Sequence, residues 1–333
     1  MDSPTTPDDL RDAPAGATLM RLPGGDRVPA SPELVQQHLD RGEFFWLDVP
    51  DPETVQVNRL EQQLGVHPLA AEDAAHFGQR PKVDDYDDFD FVVAFGSEPG
   101  DLAPREVHCL ISERWLITVH RGHLAAIEGV HRRFSRPGRK LGDCPAMALH
   151  AVLDELTDSL FPALDAVDTQ IEDLEARLTD GDDRLQSHIF EIKRSLVGLS
   201  RIAGPQRDML ARLAGGLVEL PGSTPEVERY MRDVHDHAVR VEELTDTYRE
   251  LLSGATEVHL SAVNNRLSKV MQQLTVIATI FMPLTFITGF FGQNFGWMVD
   301  HIGGPERFVA LGLGLPVAAM AALMAWFRRR GWT

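Results

Sequence analysis

Cysteine is scarce in this chain of 333 residues, and basic residues are few. Cys109 and Cys144 form no CxxC motif and cannot build a disulfide framework, which is typical of a protein from a reducing cytoplasm. The 32 basic residues face 50 acidic ones, and the resulting net charge of −18 would repel nucleic-acid phosphates. The N-terminal segment has neither a basic nor an apolar stretch, so we expect no signal peptide there.

Catalytic motifs are lacking as well. The sequence contains no P-loop, no HExxH and no Gly-x-Ser-x-Gly, so we expect neither an enzyme nor an ATP-driven pump, and no organic cofactor. The acidic excess has two interpretations: it keeps the chain soluble, or it concentrates cations near the protein. Hydrophobic residues make up 43% of the chain, which suits a mostly soluble protein with a small membrane part.

One stretch, Thr224–Asn294, has the composition of a single very long helix. It contains no proline before Pro283 except at its start, and it is far longer than a globular core requires. Its charge pattern changes abruptly, because no charged residue occurs between Lys269 and Asp300. About 20 apolar residues cross a bilayer as a helix, so we predict a first transmembrane span at about 271–291.

A second apolar stretch, residues 308–327, also has the length of a bilayer crossing. Basic residues precede the first span and follow the second at 328–330. The loop between the spans, 292–307, carries Asp300 and Glu306. We therefore expect a multi-pass protein of the cell membrane. By the positive-inside rule, both of its termini are expected on the cytoplasmic side. We expect the two loop carboxylates to attract cations on the outer side.

The remaining chain divides by composition. Residues 1–28 are rich in Pro, Asp and Gly, and we expect a disordered tail. Residues 29–145 mix strand and helix patterns, which predicts a compact cytoplasmic α/β domain. Residues 146–269 have helical patterns and predict a long-helix stalk, followed by a transmembrane domain at 270–333. The expected fold class is therefore an α/β domain, a helical stalk and two C-terminal transmembrane helices.

Local patterns also predict individual elements. Ser31 has the character of a helix N-cap, and Gly204-Pro205 predicts a kink or break in a late helix. The predicted strands cover 43–49, 89–95, 106–111 and 115–120. The predicted helices cover 32–42, 52–64, 67–76, 148–178 and 183–213.

One face of the first span combines small, polar and flexible apolar residues. Two helices cannot enclose a water-filled path, so several copies must surround one axis if the chain moves a polar solute. The face suits a pore wall or an ordinary helix–helix contact. It has no carboxylate, so a cation would cross with its water shell retained, as Mg²⁺ favours. The face consists of Met271, Leu274, Ala278, Met282, Thr285, Gly289 and Gly292.

Several longer motifs resemble the CorA family of divalent-cation transporters. The stalk and the first span carry YMRDVHDH at 230–237, YRELLSG at 248–254, MPLTFITG at 282–289 and GQNF at 292–295. The N-terminal half adds HPL at 67–69, Glu72-Asp73 and QRPKV at 79–83. These motifs occur in the family's order over residues 44 to 330, so the resemblance is specific.

The resemblance implies a homopentamer in the lipid bilayer, with a helical funnel whose long helices continue as the pore. The family's Gly-Met-Asn selectivity signature corresponds to Gly292, Gln293 and Asn294. A ring of Asn294 amide oxygens would face a hydrated cation, because amide oxygens accept hydrogen bonds from its waters. Hydrophobic residues would gate the pore by dewetting, and Thr285 would supply a hydroxyl ring. The implied pore-lining residues are Ser268, Met271, Leu274, Ala278, Met282 and Thr285.

Two departures from the family pattern leave the transported ion open. Gln293 replaces the usual methionine, and members with altered signatures include zinc transporters resembling ZntB. Residues 296–301 stand where the family usually has Met-Pro-Glu-Leu. The first hypothesis is Mg²⁺ influx driven by the membrane potential. The alternatives are a Zn²⁺, Co²⁺ or Ni²⁺ transporter, which proton flow could drive, and a membrane-anchored sensor that conducts nothing.

The resemblance also implies a regulatory metal site in the cytoplasm. The matching positions are Glu72, Asp73 and Asp233. Our hypothesis is that Asp73 and Asp233 of adjacent subunits share one Mg²⁺, with Glu72 nearby and several waters retained. The alternative is three solvated surface carboxylates.

Two other groups of residues have the composition of metal sites without the spacing. His235 and His237 are two residues apart on a helix and point to different faces, so they cannot chelate one ion together. Residues 84–90 resemble a calcium loop but lack its glycine and its final glutamate, so we predict a solvated turn that leads into a strand.

Overall fold

The computed structural model describes residues 16–52, 62–135, 144–178, 183–293, 295–301 and 303–332. The chain divides into two compact units. The first comprises Met1–Ala176 and Arg184–Ala255, and the second comprises Arg177–Asp183 and Thr256–Thr333. This division at residues 255 and 256 falls earlier than the predicted start of the transmembrane domain.

The first unit contains a mixed sheet of seven strands. Their order is β2-β1-β3-β7-β6-β5-β4, and β3 pairs with β7 in parallel while the other pairs are antiparallel. The strands are β1 (Thr18–Arg21), β2 (Arg27–Pro29), β3 (Phe45–Pro50), β4 (Lys82–Tyr86), β5 (Phe89–Gly96), β6 (Arg105–Ile111) and β7 (Trp115–His120). Strands β3, β5 and β7 are buried over almost their whole length, as their continuous apolar runs predict.

The helices follow from caps and apolar periodicity. They are α1 (Pro32–Arg41), α2 (Pro68–Ala75), α3 (Ala125–Phe134), α4 (Pro145–Asp158), α5 (Leu160–Arg177), α6 (Asp183–Ala214), α7 (Pro225–Phe291), α8 (Gly296–His301) and α9 (Pro305–Arg329). The Ser31 hydroxyl accepts from the Leu34 backbone N–H at 3.2 Å, and Gly42 ends α1 in the left-handed region at φ 66°. The predicted N-cap is therefore confirmed.

One sequence-based prediction for the first unit is wrong, and one helix was missed. The tail expected through residue 28 contains β1 and β2, because β1 pairs with β3 and buries Leu19 and Met20 against the core. Helix α3 was not predicted. The predicted turn at 84–90 is shorter than expected, at Asp87 and Asp88 between β4 and β5, and it is exposed and leads into a strand as predicted. Residues 1–15 and most of the predicted helix 52–64 lie outside the described residues.

Helix α6 continues through Pro205 without the predicted break. The next residue, Gln206, is buried and bonds both backbone groups of Phe95 on β5. The Phe95 N–H donates to Gln206 Oε1 at 2.8 Å, and Gln206 Nε2 donates to the Phe95 carbonyl at 3.0 Å. Ala203 and Leu210 are buried on either side. Packing of this face against the sheet outweighs the backbone hydrogen bond that proline removes.

A buried carboxylate connects the parallel strands with α3. Asp48 on β3 is 2% exposed and accepts from the Thr118 hydroxyl at 2.6 Å. Its two oxygens lie 3.2 Å from His120 Nε2 and 3.4 Å from His131 Nε2. Burial alone would raise the pKa of Asp48, but hydrogen bonds from both histidines outweigh it and hold this pKa well below its ordinary value. Asp48 therefore remains charged in the core.

The second unit contains two helices that are long and apolar enough to cross a membrane, judged by length and composition. The first is the C-terminal part of α7, which continues through Pro283 to Phe291. The second is α9, whose segment Phe308–Gly314 is π-helical and whose segment Leu315–Arg329 is α-helical. The expected outer loop is not wholly irregular, because α8 forms within it.

Candidate functional site

The predicted pore residues lie exposed on one face of α7. Met271, Leu274 and Met282 are 54%, 59% and 74% exposed, and each is a large apolar side chain. The remaining predicted pore residues Ser268, Ala278 and Thr285 are exposed too. Within the second unit, this face packs against no described part of the chain closely enough to bury it.

The side of α7 that does pack is a different one. Val276 is 9% exposed, and Gln272 Nε2 donates to the Trp332 carbonyl at 3.5 Å, beyond the end of α9. In α9, Phe327 is 1% exposed and stacks on Trp332 with ring centroids 5.8 Å apart. At about 100° per residue, Val276 lies about 120° around the helix from Met282 and about 160° from Leu274. The predicted pore face therefore points away from the chain's own second span.

Hydroxyl groups on the span are turned toward the helix backbone. Thr285 Oγ1 donates to the Phe281 carbonyl at 2.9 Å, and Thr288 Oγ1 donates to the Leu284 carbonyl at 2.9 Å. A hydroxyl that donates inward presents only acceptor lone pairs outward. Such a surface accepts hydrogen bonds from water bound to a cation.

The signature lies where α7 ends. The Gly292 N–H donates to the Thr288 carbonyl at 2.9 Å, and the Gln293 N–H donates to the Phe290 carbonyl at 3.3 Å. A Cβ on Gly292 would lie only 3.0 Å from the Thr288 carbonyl, so glycine permits this tight last turn. Gly292 and Gln293 are exposed, whereas Asn294 lies outside the described residues. The role of Asn294 stays a prediction.

Two carboxylates follow the signature on exposed positions. Asp300 lies in α8 and Glu306 in the first turn of α9. Arg307, the basic residue between the spans, donates from its guanidinium to the His301 carbonyl. Trp297 stacks on His301, one turn further along α8, at a centroid distance of 4.7 Å. The predicted attraction of cations by this loop is neither confirmed nor contradicted.

Of the predicted regulatory residues, Asp73 forms an ion pair with a lysine. Lys82 Nζ lies 2.7 Å from Asp73 Oδ2 and 2.8 Å from Asp84 Oδ2. Burial would lower the pKa of Lys82, but its hydrogen bonds to the two carboxylates outweigh this and raise it. Glu72 on the same helix is exposed. A metal ion that takes Asp73 Oδ2 as its ligand would therefore displace the ammonium group of Lys82.

Asp233, on α7, lies next to a group of ligand-type side chains that the sequence did not reveal. Of the residues the structure describes, Asp154, Asp158 and His237 form the one set whose three ligand atoms lie within 4.8 Å of one another. His237 Nδ1 is 2.7 Å from Asp158 Oδ1, and Arg133 Nη1 is 2.7 Å from Asp154 Oδ2. Burial and the neighbouring Asp154 raise the pKa of Asp158, and the hydrogen bond with His237 opposes this.

His235 and His237 on α7 have separate partners, as predicted. His235 Nδ1 is 3.4 Å from Asp236, and His237 bonds Asp158 from α4. Within one described chain, Glu72 and Asp73 do not join the group formed by Asp154, Asp158 and His237. The sharing of one ion by Asp73 and Asp233 across subunits therefore stays a prediction.

The sequence matches the family described as CorA-like Mg²⁺ transporter protein over residues 41–329. The chain belongs to this family. It is therefore an ion transporter and not an enzyme. The match includes most of the α/β domain, the long helix and both apolar helices, in agreement with the resemblance read from the motifs.

Individual CorA proteins and structures agree with this assignment. The cobalt/magnesium transport protein CorA of Thermotoga maritima is 29% identical over 289 residues, which is 83% of this chain and 79% of that protein. The complete structure of the CorA magnesium transporter from Methanocaldococcus jannaschii has a TM-score of 0.79 at 22% identity, covering 95% of this chain and 98% of that one. The predicted fold class is confirmed.

A zinc-related structure shares the soluble fold. The cytoplasmic domain of ZntB from Vibrio parahaemolyticus has a TM-score of 0.56 at 17% identity, covering 68% of this chain and 88% of that domain. At this identity the similarity concerns the fold alone. It leaves both magnesium and zinc as candidates for the transported ion.

Sequence reasoning missed Lys82 and the group around Asp158. Lys82 was part of a recognised motif, but only the structure places its ammonium group on Asp73. Asp154 and Asp158 are four residues apart on α4, which places them on one helix face and was a usable signal. The third member, His237, is 79 positions beyond Asp158, and no local pattern connects them.

Proposed function

We propose that this chain assembles as a homopentamer around a central pore and carries hydrated Mg²⁺ into the cytoplasm across the cell membrane. The observation that carries this proposal is the arrangement of α7 in the second unit. Its face around Met282 is exposed, and the face around Val276 packs within the unit. Copies that meet around the exposed face would enclose a path that two spans alone cannot form.

The chemistry of that face suits an ion that retains its water. It holds no charged side chain, and Thr285 directs acceptor lone pairs outward because its hydroxyl donates to the helix backbone. Mg²⁺ loses water reluctantly, so a pore of hydroxyl, amide and apolar groups selects it without stripping its shell. The amide ring expected of Asn294 would contact the same shell at the outer mouth.

The membrane potential supplies the driving force. Moving one elementary charge through 100 mV changes the free energy by about 2.3 kcal/mol, and a divalent ion gains about twice that. No nucleotide-binding motif is needed for inward transport. Both termini lie in the cytoplasm in this proposal, and Asp300 and Glu306 raise the local cation concentration outside.

Intracellular divalent metal closes the pore in this proposal. Asp73 and Asp233 of adjacent subunits share one ion, with Glu72 nearby. The set Asp154, Asp158 and His237 provides additional oxygen and nitrogen ligands on the stalk. Lys82 takes the place of the metal on Asp73 when the metal leaves, so the carboxylate keeps a cation in both states.

A second candidate is transport of Zn²⁺, Co²⁺ or Ni²⁺, coupled to proton flow in the zinc case. It is supported by Gln293 in the signature and by the fold shared with the ZntB domain. Cobalt stands beside magnesium in the name of the Thermotoga maritima relative. A sensor that conducts nothing is the third outcome.

Flux measurements on the purified protein in liposomes separate these functions. We expect Mg²⁺ entry that depends on membrane potential and is blocked by cobalt hexammine, a mimic of the hydrated ion. Zn²⁺ flux that requires a pH gradient would favour the second candidate. If a correctly assembled protein carried none of these divalent ions, the result would favour the sensor that conducts nothing.

The signature itself is tested with a matched pair of variants. Asn294→Ala removes the amide and is expected to abolish Mg²⁺ flux while the oligomer forms normally. Gln293→Met restores the family's usual residue and is expected to retain Mg²⁺ flux. Unchanged flux in Asn294→Ala would contradict the proposed role of the amide ring.

A further inference from the structure

An acidic cavity of about 730 Å³ lies at one end of the sheet in the first unit. It is bounded by the β4–β5 turn, the β6–β7 turn and the segment before α7, and it is separate from the carboxylates considered above. Six acidic residues line it against one arginine, Arg114. The acidic residues are Asp85, Asp87, Asp88, Asp90, Glu113 and Glu219.

One of these carboxylates is buried without a partner. Asp90 on β5 is 4% exposed, and its Oδ1 atom has no hydrogen-bond partner. The strand register places Asp85 of β4 directly opposite Asp90. Like charges opposite each other destabilise a strand pair unless a cation lies between them. Burial, and then the charge of Asp85, raise the pKa of Asp90 to about 7.

The spacing of the carboxylates argues against a single metal ion. Among the described residues, the set of three ligand atoms within 4.8 Å of one another lies elsewhere, at Asp154, Asp158 and His237. The cavity carboxylates are distributed around a space whose volume is typical of small-molecule sites. A ligand that matches them carries several positive charges spread along its length.

Aromatic side chains supply the apolar part of the lining. Tyr86 and Phe89 stack with ring centroids 4.7 Å apart, and Phe89 lies 6.0 Å from Trp115. Methylene groups pack favourably against such rings, and ammonium groups are attracted to ring faces and carboxylates. The combination of aromatic and acidic groups suits a flexible organic cation better than a bare ion.

The wall opposite the strands is preformed. The Ala146 N–H donates to the Pro221 carbonyl at 3.0 Å, which ties the segment before α7 to the start of α4. Gly222 has φ 72°, and a Cβ there would lie 3.2 Å from Cys144, so this position is confined to glycine. The backbone next to Glu219 is therefore fixed before a ligand binds, which lowers the entropy cost of binding.

We propose that this cavity binds an aliphatic polyamine, with one ammonium group between Asp85 and Asp90 and the others at the rim carboxylates. The methylene chain lies along Tyr86 and Phe89. This site is independent of the pore and of the regulatory metal. Because Glu219 precedes the start of α7 by only a few residues, an occupied cavity also neutralises charge near the base of the long helix.

Calorimetric titration of the full chain with spermidine tests the proposal. At physiological ionic strength we expect one spermidine per chain and much weaker binding of hexylamine, which has a single ammonium group. Asp90→Asn is expected to weaken spermidine about tenfold or more, because it removes a buried charged partner. Glu219→Gln, at an exposed position, is expected to weaken it by up to about fivefold.

Two further variants test whether the affinity for spermidine depends on the charge inside the cavity. Arg114→Gln removes the competing cation and is expected to tighten spermidine binding. Asp26→Asn removes an exposed carboxylate outside the cavity and is expected to change nothing.

The affinity for spermidine should rise from pH 6 to pH 8 in the natural sequence. Below about pH 7 Asp90 carries a proton, and this proton must leave before the carboxylate can pair with an ammonium group. The Asp90→Asn variant should lose most of that rise.

Three results would overturn the proposal. No spermidine binding by the natural sequence would mean that Asp90 is simply protonated in an empty cavity. Equal weakening in Asp90→Asn and Asp26→Asn would indicate diffuse attraction by the net charge of −18. Displacement of spermidine by an equal concentration of MgCl₂, with Mg²⁺ binding lost in Asp90→Asn, would make the cavity a metal site.

Discussion

Removal of the Lys82 ammonium group should make the transporter more sensitive to intracellular Mg²⁺. In the structure Lys82 lies 2.7 Å from Asp73 and 2.8 Å from Asp84. If the regulatory metal takes Asp73 Oδ2 as its ligand, each binding event breaks the first of these ion pairs. Lys82→Met preserves most of the side-chain volume while removing the ammonium group, which also lies 5.2 Å from the centre of the Phe91 ring. Metal binding then no longer competes with lysine.

The magnitude follows from the exposure of the pair. The side chains of Lys82, Asp73 and Asp84 are 32%, 41% and 42% exposed, so water screens their attraction. Ion pairs of this kind contribute about 0.2–1 kcal/mol. Since 1.4 kcal/mol corresponds to a factor of ten, the Mg²⁺ concentration for half-inhibition should fall about 1.5- to 5-fold in Lys82→Met.

The assay is flux into liposomes loaded with increasing internal Mg²⁺. Lys82→Arg should resemble the natural sequence, and Lys193→Met, on α6, serves as the matched control because it removes a lysine far from Asp73 in sequence. Asp84→Asn should raise the Mg²⁺ concentration for half-inhibition, because the lysine that the metal displaces from Asp73 then has no second carboxylate to pair with. A half-inhibition concentration that is unchanged or higher in Lys82→Met would refute the competition, while unchanged inhibition in Asp73→Asn would refute the metal site itself.

Three further predictions concern other parts of the molecule. Asp233→Ala should leave transport active at high internal Mg²⁺, and normal inhibition in flux assays would exclude Asp233 as a metal ligand. With Cys109 and Cys144 replaced, a cysteine at Met282 should react with water-soluble thiol reagents, whereas one at Val276 should not; the reverse pattern would contradict the assigned pore face. Asp48→Asn should cost about 3–5 kcal/mol, because it leaves buried histidines without their carboxylate, and a thermal midpoint equal to that of the natural sequence would disprove this.

The pH dependence of stability follows from Asp48 with a definite sign. Its pKa is lower in the folded chain than in the unfolded chain, so its contribution is fully present above the unfolded value of about 3.9. That contribution is lost as the pH falls through the folded pKa. Thermal unfolding scans should therefore show a loss of stability at acidic pH that is smaller in Asp48→Asn.

Local sequence patterns account for much of the fold. The Ser31 cap, the apolar strand β7 and the uninterrupted α7 depend on interactions within a few residues, so their sequence signals are direct. The predictions were wrong for regions whose structure depends on partners far away in the sequence. The segment around Leu19 has a weak strand pattern and becomes β1 because β3 pairs with it, and Gln206 keeps α6 continuous by bonding β5.

The sequence by itself determined the two candidate membrane-spanning helices, the long helix and the family, because bilayer thickness and helical periodicity act along the chain and leave a pattern that can be counted. The tertiary structure alone decided which charges meet. Lys82 on Asp73, His237 on Asp158 and the unpartnered Asp90 beside Asp85 are contacts between separate elements. Their strengths depend on distance and burial, which no spacing of residues along a chain specifies.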